Sequence, residues 1–444
     1  MTKEREISLL ERVVSLCKRR GFVYQGSEIY GGLAGTWDYG PMGVRLKNTI
    51  TKLWWKTFVD DRSDMYGIDA AILMNANVWK AVGHVEGFTD PLIECTKCKH
   101  RFRADHIRER AEKKMCPTCG GALGDPRQFN MMFETNVGAV RDSSSIAYLR
   151  PETAQGIFVN FKNIVDSFHP KLPFGIAQIG KAFRNEITPR DFLFRTREFE
   201  QMEIEYFVKE NEWEQYFELW RKHVRDWTKS IGLAAKNVHE LEVETGDRAH
   251  YSKRTIDFEY SFPFGRKELY GLAYRTDFDV RSHAAASSVD LNYQDLDTGE
   301  RFMPHVIEPS FGLDRTILAV LLESYAEDEL GSETRVYLKL PAHLAPVSVA
   351  VFPLLKNKPD LVKKARAVFD SLRKQDFAAA FDDNGNIGKR YRRQDEIGTP
   401  LCVTVDFTTL EDDTVTVRDR DSGKQERVKL DELTLYIEER IVPA

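Results

Sequence analysis

The chain has 444 residues, of which 42% are hydrophobic and 30% are charged, and its formal net charge is −5. This composition is typical of a soluble globular protein with several domains, and it excludes a disordered or fibrous chain. No apolar run approaches the roughly 18 residues of a membrane-spanning helix. The N-terminal segment mixes charged residues into its apolar pattern and lacks a small-residue cleavage site, so we expect a cytoplasmic protein without a signal peptide.

Periodicity divides the chain into helices and strands in an order that indicates a mixed α+β protein. The predicted elements before residue 327 are helices at 6–19 (ending at Gly21) and 44–59, strands at 174–186 and 192–209, a helix at 211–231, strands within 254–281 and a helix at 312–325. A polar stretch at 327–335 marks the clearest domain boundary, and a separate α/β unit is predicted after it. The predicted elements of that unit are strands at 347–351, 401–407 and 414–418 and a helix at 361–374.

The two predicted strands at 174–186 and 192–209 each place polar side chains on one face. On the second strand Arg195, Phe199 and Glu203 share a face, and the opposite face is apolar. Arginine binds phosphate oxygens through planar, charge-assisted hydrogen bonds, and a phenylalanine ring can stack on a purine. The face therefore suits a nucleoside triphosphate. The alternative is the solvent face of an antiparallel hairpin with cross-strand Arg–Glu pairs.

Four cysteines follow the spacing C-x2-C-x17-C-x2-C: Cys95, Cys98, Cys116 and Cys119. Two such pairs can close a tetrahedral site, so the pattern predicts a structural zinc ribbon with four thiolate ligands. Two disulfides or four free thiols are the alternatives, and disulfides fit a cytoplasmic chain poorly. Cys17 and Cys402 lie within apolar patterns and are predicted to be packed core thiols.

Several long motifs carry a resemblance to a known family. FRNE (183–186) and FRTREFEQME (194–203) resemble the second signature motif of class II aminoacyl-tRNA synthetases, specifically of the homodimeric glycyl-tRNA synthetases. EPSFGLDRTILAVL (308–321) resembles the third motif, and residues 38–59 resemble the first. RPETAQGIFVNF (150–161) and GKRYRRQDEIGTP (388–400) also match, and the resemblance covers essentially the whole chain without a departure at a motif position.

The resemblance implies a glycine–tRNA ligase. Such an enzyme activates glycine with ATP to glycyl-adenylate, releases pyrophosphate, and transfers glycyl to the 3′-terminal adenosine of tRNA(Gly). The implied fold is an antiparallel class II sheet flanked by helices, and the implied assembly is a homodimer. The expected parts are the N-terminal portion of the catalytic domain (1–93), the zinc-ribbon insert (94–121), the catalytic domain with motifs 2 and 3 (122–335) and an α/β anticodon-binding domain (341–444).

For the nucleotide, the resemblance implies that Arg184 holds the α-phosphate, Glu186 the adenine amino group and Arg315 the γ-phosphate, while Phe199 stacks on the ring. Arg184, Glu186 and Arg315 would be the catalytic residues. Arg315 lies near the start of its predicted helix, where the helix dipole favours anions, although a surface salt bridge is the alternative for this residue alone. Magnesium would bridge the phosphates, with Glu268 and Glu308 as candidate ligands. The full implied nucleotide set is Arg184, Asn185, Glu186, Phe194, Arg195, Thr196, Arg197, Glu198, Phe199, Glu268, Leu269, Gly312, Leu313, Asp314 and Arg315.

For glycine, carboxylates would bind the ammonium group, and the exclusion of alanine must be steric because glycine has no side chain. The alternatives are that Glu152 occupies the first turn of a helix and that Ser310 is an N-cap. The full implied glycine set is Arg103, Glu152, Phe199, Glu200, Gln201, Met202, Glu203, Arg275, Glu308, Pro309, Ser310, Phe311 and Gly312.

Two basic segments could contact tRNA. One is the stretch at 389–393, in which Tyr391 could stack on a base, and the other surrounds the cysteines. A solvated surface is the alternative for both. Two other functions stay open at this point: a non-catalytic nucleic-acid-binding relative of the fold, and an amino-acid-activating enzyme that uses no tRNA. The presence of Arg184, Glu186 and Arg315 argues against the first, and the C-terminal domain argues against the second.

Overall fold

The computed structural model describes residues 7–142, 145–330 and 333–441. Its α-helices are α1 (Leu9–Arg20), α2 (Pro41–Trp55), α3 (Ala76–Ala81), α4 (His84–Gly87), α5 (Arg108–Glu112), α6 (Ala154–Phe158), α7 (Phe161–Phe168), α8 (Trp213–Ser230), α9 (Phe278–Ser287), α10 (Leu313–Ser324), α11 (Pro359–Lys374), α12 (Ile387–Ile397), α13 (Phe407–Asp412) and α14 (Leu433–Ile441). Within the described ranges, no helix combines the length and the apolar character that crossing a bilayer requires.

The strands form one large sheet, a second five-stranded sheet and several small ones. In chain order they are β1 (Val23–Gln25), β2 (Trp37–Tyr39), β3 (Met65–Ile68), β4 (Leu73–Met74), β5 (Thr89–Glu94), β6 (Arg101–Arg103), β7 (Arg127–Asn130), β8 (Phe133–Asn136), β9 (Ile146–Leu149), β10 (Phe174–Phe183), β11 (Glu198–Val208), β12 (Val238–Glu242), β13 (Arg254–Phe262), β14 (Gly265–Thr276), β15 (Tyr293–Gln294), β16 (Arg301–Phe302), β17 (His305–Gly312), β18 (Tyr325–Leu330), β19 (Glu333–Leu338), β20 (Val349–Pro353), β21 (Ala379–Phe381), β22 (Leu401–Val405), β23 (Thr414–Asp419) and β24 (Gln425–Lys429).

The large sheet has the order β12-β13-β14-β17-β11-β10-β3. All of its neighbouring strands are antiparallel except β3, which runs parallel to β10. β11 lies near the middle, where Glu203 is opposite Gln178 of β10 and Ser310 of β17. This arrangement confirms the predicted α+β fold with an antiparallel sheet flanked by helices.

The helices that flank this sheet begin and end where the sequence predicts, to within a few residues. α1 starts with a capping box between Ser8 and Glu11 and ends at Gly21, whose φ of 71° is left-handed. α2 starts with Pro41 in its first turn and continues into a π-helical turn at Lys56–Asp60. α10 is buried on nearly all sides because it packs against the sheet and also against α1 and α2.

One face of the sheet is packed with aromatic and aliphatic side chains. Met202, Ile204 and Tyr206 of β11 belong to this core, together with Trp54 of α2 and Trp220 of α8, and all five are almost fully buried. Because alternate residues of a strand point to opposite sides, the other face of β11 is free to carry polar groups.

The two strands that carry the second motif are shorter than predicted. β10 ends at Phe183 and β11 begins at Glu198, so Arg184, Glu186 and Arg195 lie in the connecting loop and not on the strand face. The alternation of polar and apolar residues predicts a strand, but it does not show at which residue the hydrogen-bonded pairing of the two strands ends. The loop is held instead by its own backbone bonds, such as the one from the Arg184 amide to the Arg197 carbonyl (2.9 Å).

The C-terminal unit is a separate α/β layer with the sheet order β21-β20-β22-β23-β24 and its own apolar core. The polar stretch at 327–335, where the sequence predicts a domain boundary, forms most of the paired strands β18 and β19. Glu327 and Glu329 are exposed, but Asp328 and Arg335 are not. Arg335 is fully buried and pairs with Asp328, as described below.

Candidate active site

A cavity of about 360 Å³ opens on the polar face of the large sheet, above β11, β14 and β17. The loop between β10 and β11 and the loop between β12 and β13 complete its walls. Most residues of the predicted site line it: Glu152, Arg184, Glu186, Phe194, Arg195, Thr196, Phe199, Glu200, Gln201, Glu203, Glu268, Leu269, Glu308, Ser310, Gly312, Asp314 and Arg315. The structure therefore brings residues of both predicted sets together from segments that are far apart in sequence.

Arg315 lies at one end of the cavity, in the first turn of α10. Its guanidinium donates to the carboxylate and the carbonyl of Glu268, each at 3.0 Å, and lies 4.5 Å from the ring centre of Phe194. The Arg315 charge, opposed by burial, lowers the pKa of Glu268. A cation at a helix N-terminus is a favourable place for a phosphate.

Arg184 and the loop after β10 form the adjoining wall. The Arg184 guanidinium donates through Nε to the Pro151 carbonyl (3.0 Å) and lies 5.2 Å from the ring centre of Phe199 and 5.4 Å from that of Phe88. Glu186 is nearly buried, and among the described residues its Oε2 accepts no hydrogen bond. Arg195 Nε lies 4.0 Å from this oxygen as an ion pair. The wall thus offers a held guanidinium, a ring face and a carboxylate paired with Arg195.

Glu203 lies at the centre of the acidic floor. Its Oε1 accepts a hydrogen bond from the Ser310 hydroxyl (2.8 Å), and its Oε2 accepts one from the Thr153 hydroxyl. Burial and the nearby charge of Glu152 raise the pKa of Glu203. Ser310 lies within β17 and is therefore not an N-cap.

Glu152 faces the same floor from the segment just before α6. His84 Nε2 lies 3.3 Å from its Oε2, and Gln155 donates to its Oε1 at 3.0 Å. Burial alone would raise the pKa of Glu152, but His84, Arg275 and Gln155 together hold it below its usual range. Glu152 precedes the first turn of α6 and is buried, so it is not a solvated residue favoured only by the helix dipole.

Arg275 is buried beneath the floor, and its guanidinium donates hydrogen bonds to two carboxylates. It forms two hydrogen bonds of 2.7 Å to Asp279 and one of 2.8 Å to Glu308. The ring centre of Tyr251 lies 3.7 Å from its guanidinium. Burial raises the pKa of Glu308, although Arg275 opposes the shift.

Glu205 adds another buried carboxyl to this cluster. It is completely inaccessible, and neither of its oxygens has a hydrogen-bond partner among the residues that the structure describes. The register of β11 with β17, in which Glu203 faces Ser310 and Tyr206 faces Ile307, places Glu205 across from Glu308. Burial raises the pKa of Glu205 well above its usual range, and the charge of Glu308 raises it further.

Some predicted residues do not line the cavity. The side chains of Met202, Phe311 and Leu313 pack in the core on the other side of the sheet, because the predicted segments include both faces of a strand. Arg103 pairs with Asp90 (2.6 Å) and Asp105 (2.8 Å) in the insert region. The remaining predicted residues outside the lining are Asn185, Arg197, Glu198, Arg275 and Pro309.

The residues that the sequence did not single out are mostly partners of predicted ones: His84, Thr153, Gln155, Glu205, Tyr251, Asp257 and Asp279. Strand parity could have found Glu205, which lies two residues after Glu203. Burial and the charges of Glu268 and Glu259 raise the pKa of Asp257 to about 7. No local signal identifies His84 or Asp279, since both reach the site only through the tertiary fold.

Of the four basic residues in the stretch at 389–393, Arg390 and Arg393 are used inside their own domain, and Arg392 donates to the Thr334 carbonyl of β19 at 2.9 Å. Arg390 is buried and donates to the backbone carbonyls of Pro353, Asp383 and Gly385. The Tyr391 hydroxyl lies 2.7 Å from that of Thr404. A run of charges in the sequence does not reveal which guanidiniums are needed to satisfy buried carbonyls.

The four predicted zinc ligands converge on one point. The sulfur atoms of Cys95, Cys98, Cys116 and Cys119 all lie within 4.8 Å of one another. The shortest sulfur–sulfur distances are 3.6 Å, far from the roughly 2.05 Å of a disulfide. They are close to the about 3.8 Å between thiolates that each lie 2.3 Å from a tetrahedral zinc. Cys17 and Cys402 are buried core thiols, as predicted.

Two parts of the chain match models of known protein families. The model of the tRNA synthetase class II core domain (G, H, P, S and T) matches residues 133–325, and that of the anticodon binding domain matches residues 348–440. The first match contains most of the large sheet and its cavity, and the second contains nearly all of the C-terminal α/β unit. Together they define a class II aminoacyl-tRNA synthetase.

Relatives that match over nearly their whole length identify the family within this class. Glycine–tRNA ligases from Caldanaerobacter subterraneus subsp. tengcongensis and Thermobifida fusca are 49% and 50% identical to this chain, over 97% of it and 98% of each relative. The glycine–tRNA ligase of Streptomyces coelicolor is 50% identical over 98% of both chains. The chain therefore belongs to the glycine–tRNA ligase family, and the predicted glycine–tRNA ligase activity is confirmed.

Replacing Glu205 with Gln should stabilise the fold at neutral pH. A carboxyl whose folded pKa is raised keeps its proton while the unfolded chain loses it, so stability falls as pH rises above about 4.3, by about 1.4 kcal/mol per unit. Glutamine has the same shape and does not titrate. The difference in melting temperature between E205Q and the unaltered chain should therefore grow from about pH 5 to about pH 8.

Thermal unfolding followed by circular dichroism at several pH values measures this difference. Glu300→Gln, which alters an exposed residue, is the control and should give a difference independent of pH. A pH-independent difference for E205Q as well would mean that Glu205 is ionised in the fold.

Proposed function

We propose that both steps of glycine–tRNA ligation take place in the cavity above β11, β14 and β17. The glycine carboxylate attacks the α-phosphorus of ATP, which forms glycyl-adenylate and releases pyrophosphate. The 3′-terminal hydroxyl of tRNA(Gly) then attacks the acyl carbon and releases AMP. The observation that carries this proposal is the junction, in one cavity, of a guanidinium-lined wall with a carboxylate floor.

The triphosphate would lie along the guanidinium-lined wall. Arg184 would hold the α-phosphate, since its Nε is fixed by the Pro151 carbonyl and, within the part of the chain that the structure describes, its terminal nitrogens donate no hydrogen bond. When ATP binds, Arg315 would give up its ion pair with Glu268 and bind the γ-phosphate instead. Glu186 would accept a hydrogen bond from the adenine amino group, since its Oε2 accepts none from the described residues, and Phe199 would stack on the base. Positioning and charge neutralisation are sufficient for in-line displacement at phosphorus, so no nucleophilic side chain is assigned.

Glycine would lie at the floor, with its ammonium group between Glu203 and Glu152. Ser310 and Thr153 fix the orientation of Glu203, and His84 and Gln155 fix that of Glu152. The ammonium supplies the positive charge that these desolvated carboxylates lack. Alanine carries the same charges, so its exclusion would depend on the lack of space for one methyl group.

Magnesium bound with ATP would neutralise phosphate charge. Of the two predicted ligands, Glu268 fits this role better, because it lies beside Arg315 and one of its oxygens is not used by that arginine. Glu308 is bound to Arg275 and faces Ala273, five residues along β14 from Glu268. That separation is roughly 16 Å of strand, so the two carboxylates would not hold one ion together.

The insert would hold one structural zinc ion through its four cysteines, since a closed thiolate site leaves no position for a substrate. The domain division predicted from the sequence is retained, with the β18–β19 hairpin at the boundary between the catalytic and anticodon-binding domains. We also propose a homodimer formed through residues 38–59, which include most of β2, all of α2 and most of the π-helical turn. Charging of tRNA would take place in the cytoplasm.

Arg184→Ala should abolish most of the first step. Removing one preorganised donor from developing charge typically lowers kcat by about 100-fold or more. We expect such a loss in glycine-dependent exchange between ATP and pyrophosphate, with the melting temperature retained. Arg190→Ala, in the same loop but outside the cavity lining, is the matched control. Unchanged exchange in a folded Arg184→Ala chain would remove Arg184 from the nucleotide site.

Glu203→Gln should weaken glycine binding selectively. The amide keeps the shape of the side chain but removes the charge that faces the ammonium group. A hydrogen bond to a charged group contributes about 1.5–3 kcal/mol, so KM for glycine should rise about tenfold to a hundredfold while KM for ATP stays the same. Glu242→Gln, on β12 outside the cavity, serves as the control. An equal rise in both KM values would contradict the assignment.

Cys95→Ser should release the zinc ion and open the insert. The apolar core of the insert is small, consisting mainly of Ile93, Cys95, Cys116 and Leu123, so metal binding is expected to supply much of its stability. Elemental analysis should give one zinc per unaltered chain, and limited proteolysis should cut the variant between residues 94 and 121. Cys402→Ala, a core thiol elsewhere, should keep the metal. A metal-free chain whose insert resists proteolysis would refute the structural role.

A further inference from the structure

Two acidic residues at the end of α12, Asp395 and Glu396, face the catalytic part of the chain. Asp395 is completely buried. Its two oxygens accept hydrogen bonds from Arg418 of β23 at 2.8 and 3.1 Å, and Arg335 of β19 lies 3.5 Å from one of them. Asp395 thus connects the anticodon-binding domain to the β18–β19 hairpin.

Arg335 is the other half of this connection. It is also fully buried, and it donates to both oxygens of Asp328 on β18, at 2.8 and 2.5 Å, and to the carbonyl of Arg420 at 2.5 Å. One guanidinium therefore joins the hairpin, α12 and the loop after β23. Removing one member of a buried ion network leaves the remaining charges unpaired, so the network strongly favours one orientation of its elements.

The same end of α12 and the glycine after it make three further contacts with the part of the chain before residue 341. Ile397 belongs to the apolar core that also contains Leu338 and Leu340. Gly398 approaches so closely that an added Cβ would lie 2.6 Å from a methyl carbon of Leu340. Glu396 pairs with Arg19 and Arg20 of α1. The anticodon-binding domain is therefore attached at several points around Asp395.

We propose that Asp395 is a positioning residue for tRNA. Through Arg335 and Arg418 it would hold the anticodon-binding domain at the orientation in which the 3′ end of a bound tRNA reaches the cavity. Asp395 touches no substrate, and the formation of glycyl-adenylate does not need it. The inference rests on the proposed function, because it takes tRNA as the acceptor of the glycyl group. It concerns only the transfer step and not the formation of glycyl-adenylate.

Asp395→Asn in the full chain separates the two steps. We expect glycine-dependent pyrophosphate exchange within about twofold of the unaltered chain. If only about one-tenth of the molecules keep the productive orientation, the apparent KM for tRNA(Gly) in charging should rise about tenfold, with a smaller change in kcat. Small-angle X-ray scattering of the same sample should show a wider distribution of dimensions.

Asp382→Asn is the matched control, because Asp382 pairs with Arg393 of α12 at 2.6 Å within the anticodon-binding domain. It should leave the KM for tRNA unchanged. If Asp395→Asn does not fold, Arg335→Lys takes its place: lysine keeps the charge but cannot bind Asp328 and Asp395 together, so it should raise the same KM.

An unchanged KM for tRNA in a folded Asp395→Asn chain would overturn the inference. So would a loss of exchange as large as the loss of charging, since that would indicate a general structural role. Failure of the unaltered chain to carry out exchange or charging would instead contradict the proposed function, which keeps the two failures distinguishable.

Discussion

The site depends on β11 having two faces of opposite character. Met202, Ile204 and Tyr206 anchor the strand in the aromatic core, and the residues between them necessarily point to the other side. Glu203 can therefore be buried in a fixed place, where Ser310 of the neighbouring strand reaches it. A shift of one residue in this register would put carboxylates into the apolar core, which fixes the register strongly.

The floor has more acidic groups than its cations can balance. Arg275 is shared between Asp279 and Glu308, and the bidentate contact uses both oxygens of Asp279. Glu203 has only uncharged donors, the hydroxyls of Thr153 and Ser310 and the amide of Gln201, and Glu205 has no donor at all among the described residues. Burial and mutual repulsion raise the pKa values of Glu203, Glu205 and Glu308, whereas the pKa of Glu152 is lowered, so a small cation at the floor gains most from Glu152 and from the ionised form of Glu203 beside it. The ammonium group of an amino acid without a bulky side chain supplies this positive charge in the space available.

Strand alternation, cysteine spacing and long motifs allowed much of the site to be predicted. They identified Glu203, Ser310, Arg315 and the four cysteines, because in each case the chemistry depends on a short local pattern. The ends of β10 and β11 could not be predicted, since Arg184 and Glu186 continue the alternation after the hydrogen-bonded ladder has stopped. His84 and Asp279 could not be predicted either, because they reach the floor from segments that show no periodicity toward it. Arg390 points into its own domain because backbone carbonyls there need a hydrogen-bond donor. Only the tertiary fold determines which carbonyls those are.

The two chemical steps place different demands on the structure. Activation needs atoms held within the sheet and its loops, over distances that local hydrogen bonds define. Transfer needs a separate domain, which follows the β18–β19 hairpin in the chain, to hold its position relative to that sheet. An apolar interface alone would tolerate sliding, whereas buried ion pairs lose their partners when the elements move. The concentration of buried charge around Asp395 and Arg335 is therefore better explained by orientation than by stability, since replacing such pairs with apolar residues is often neutral or stabilising.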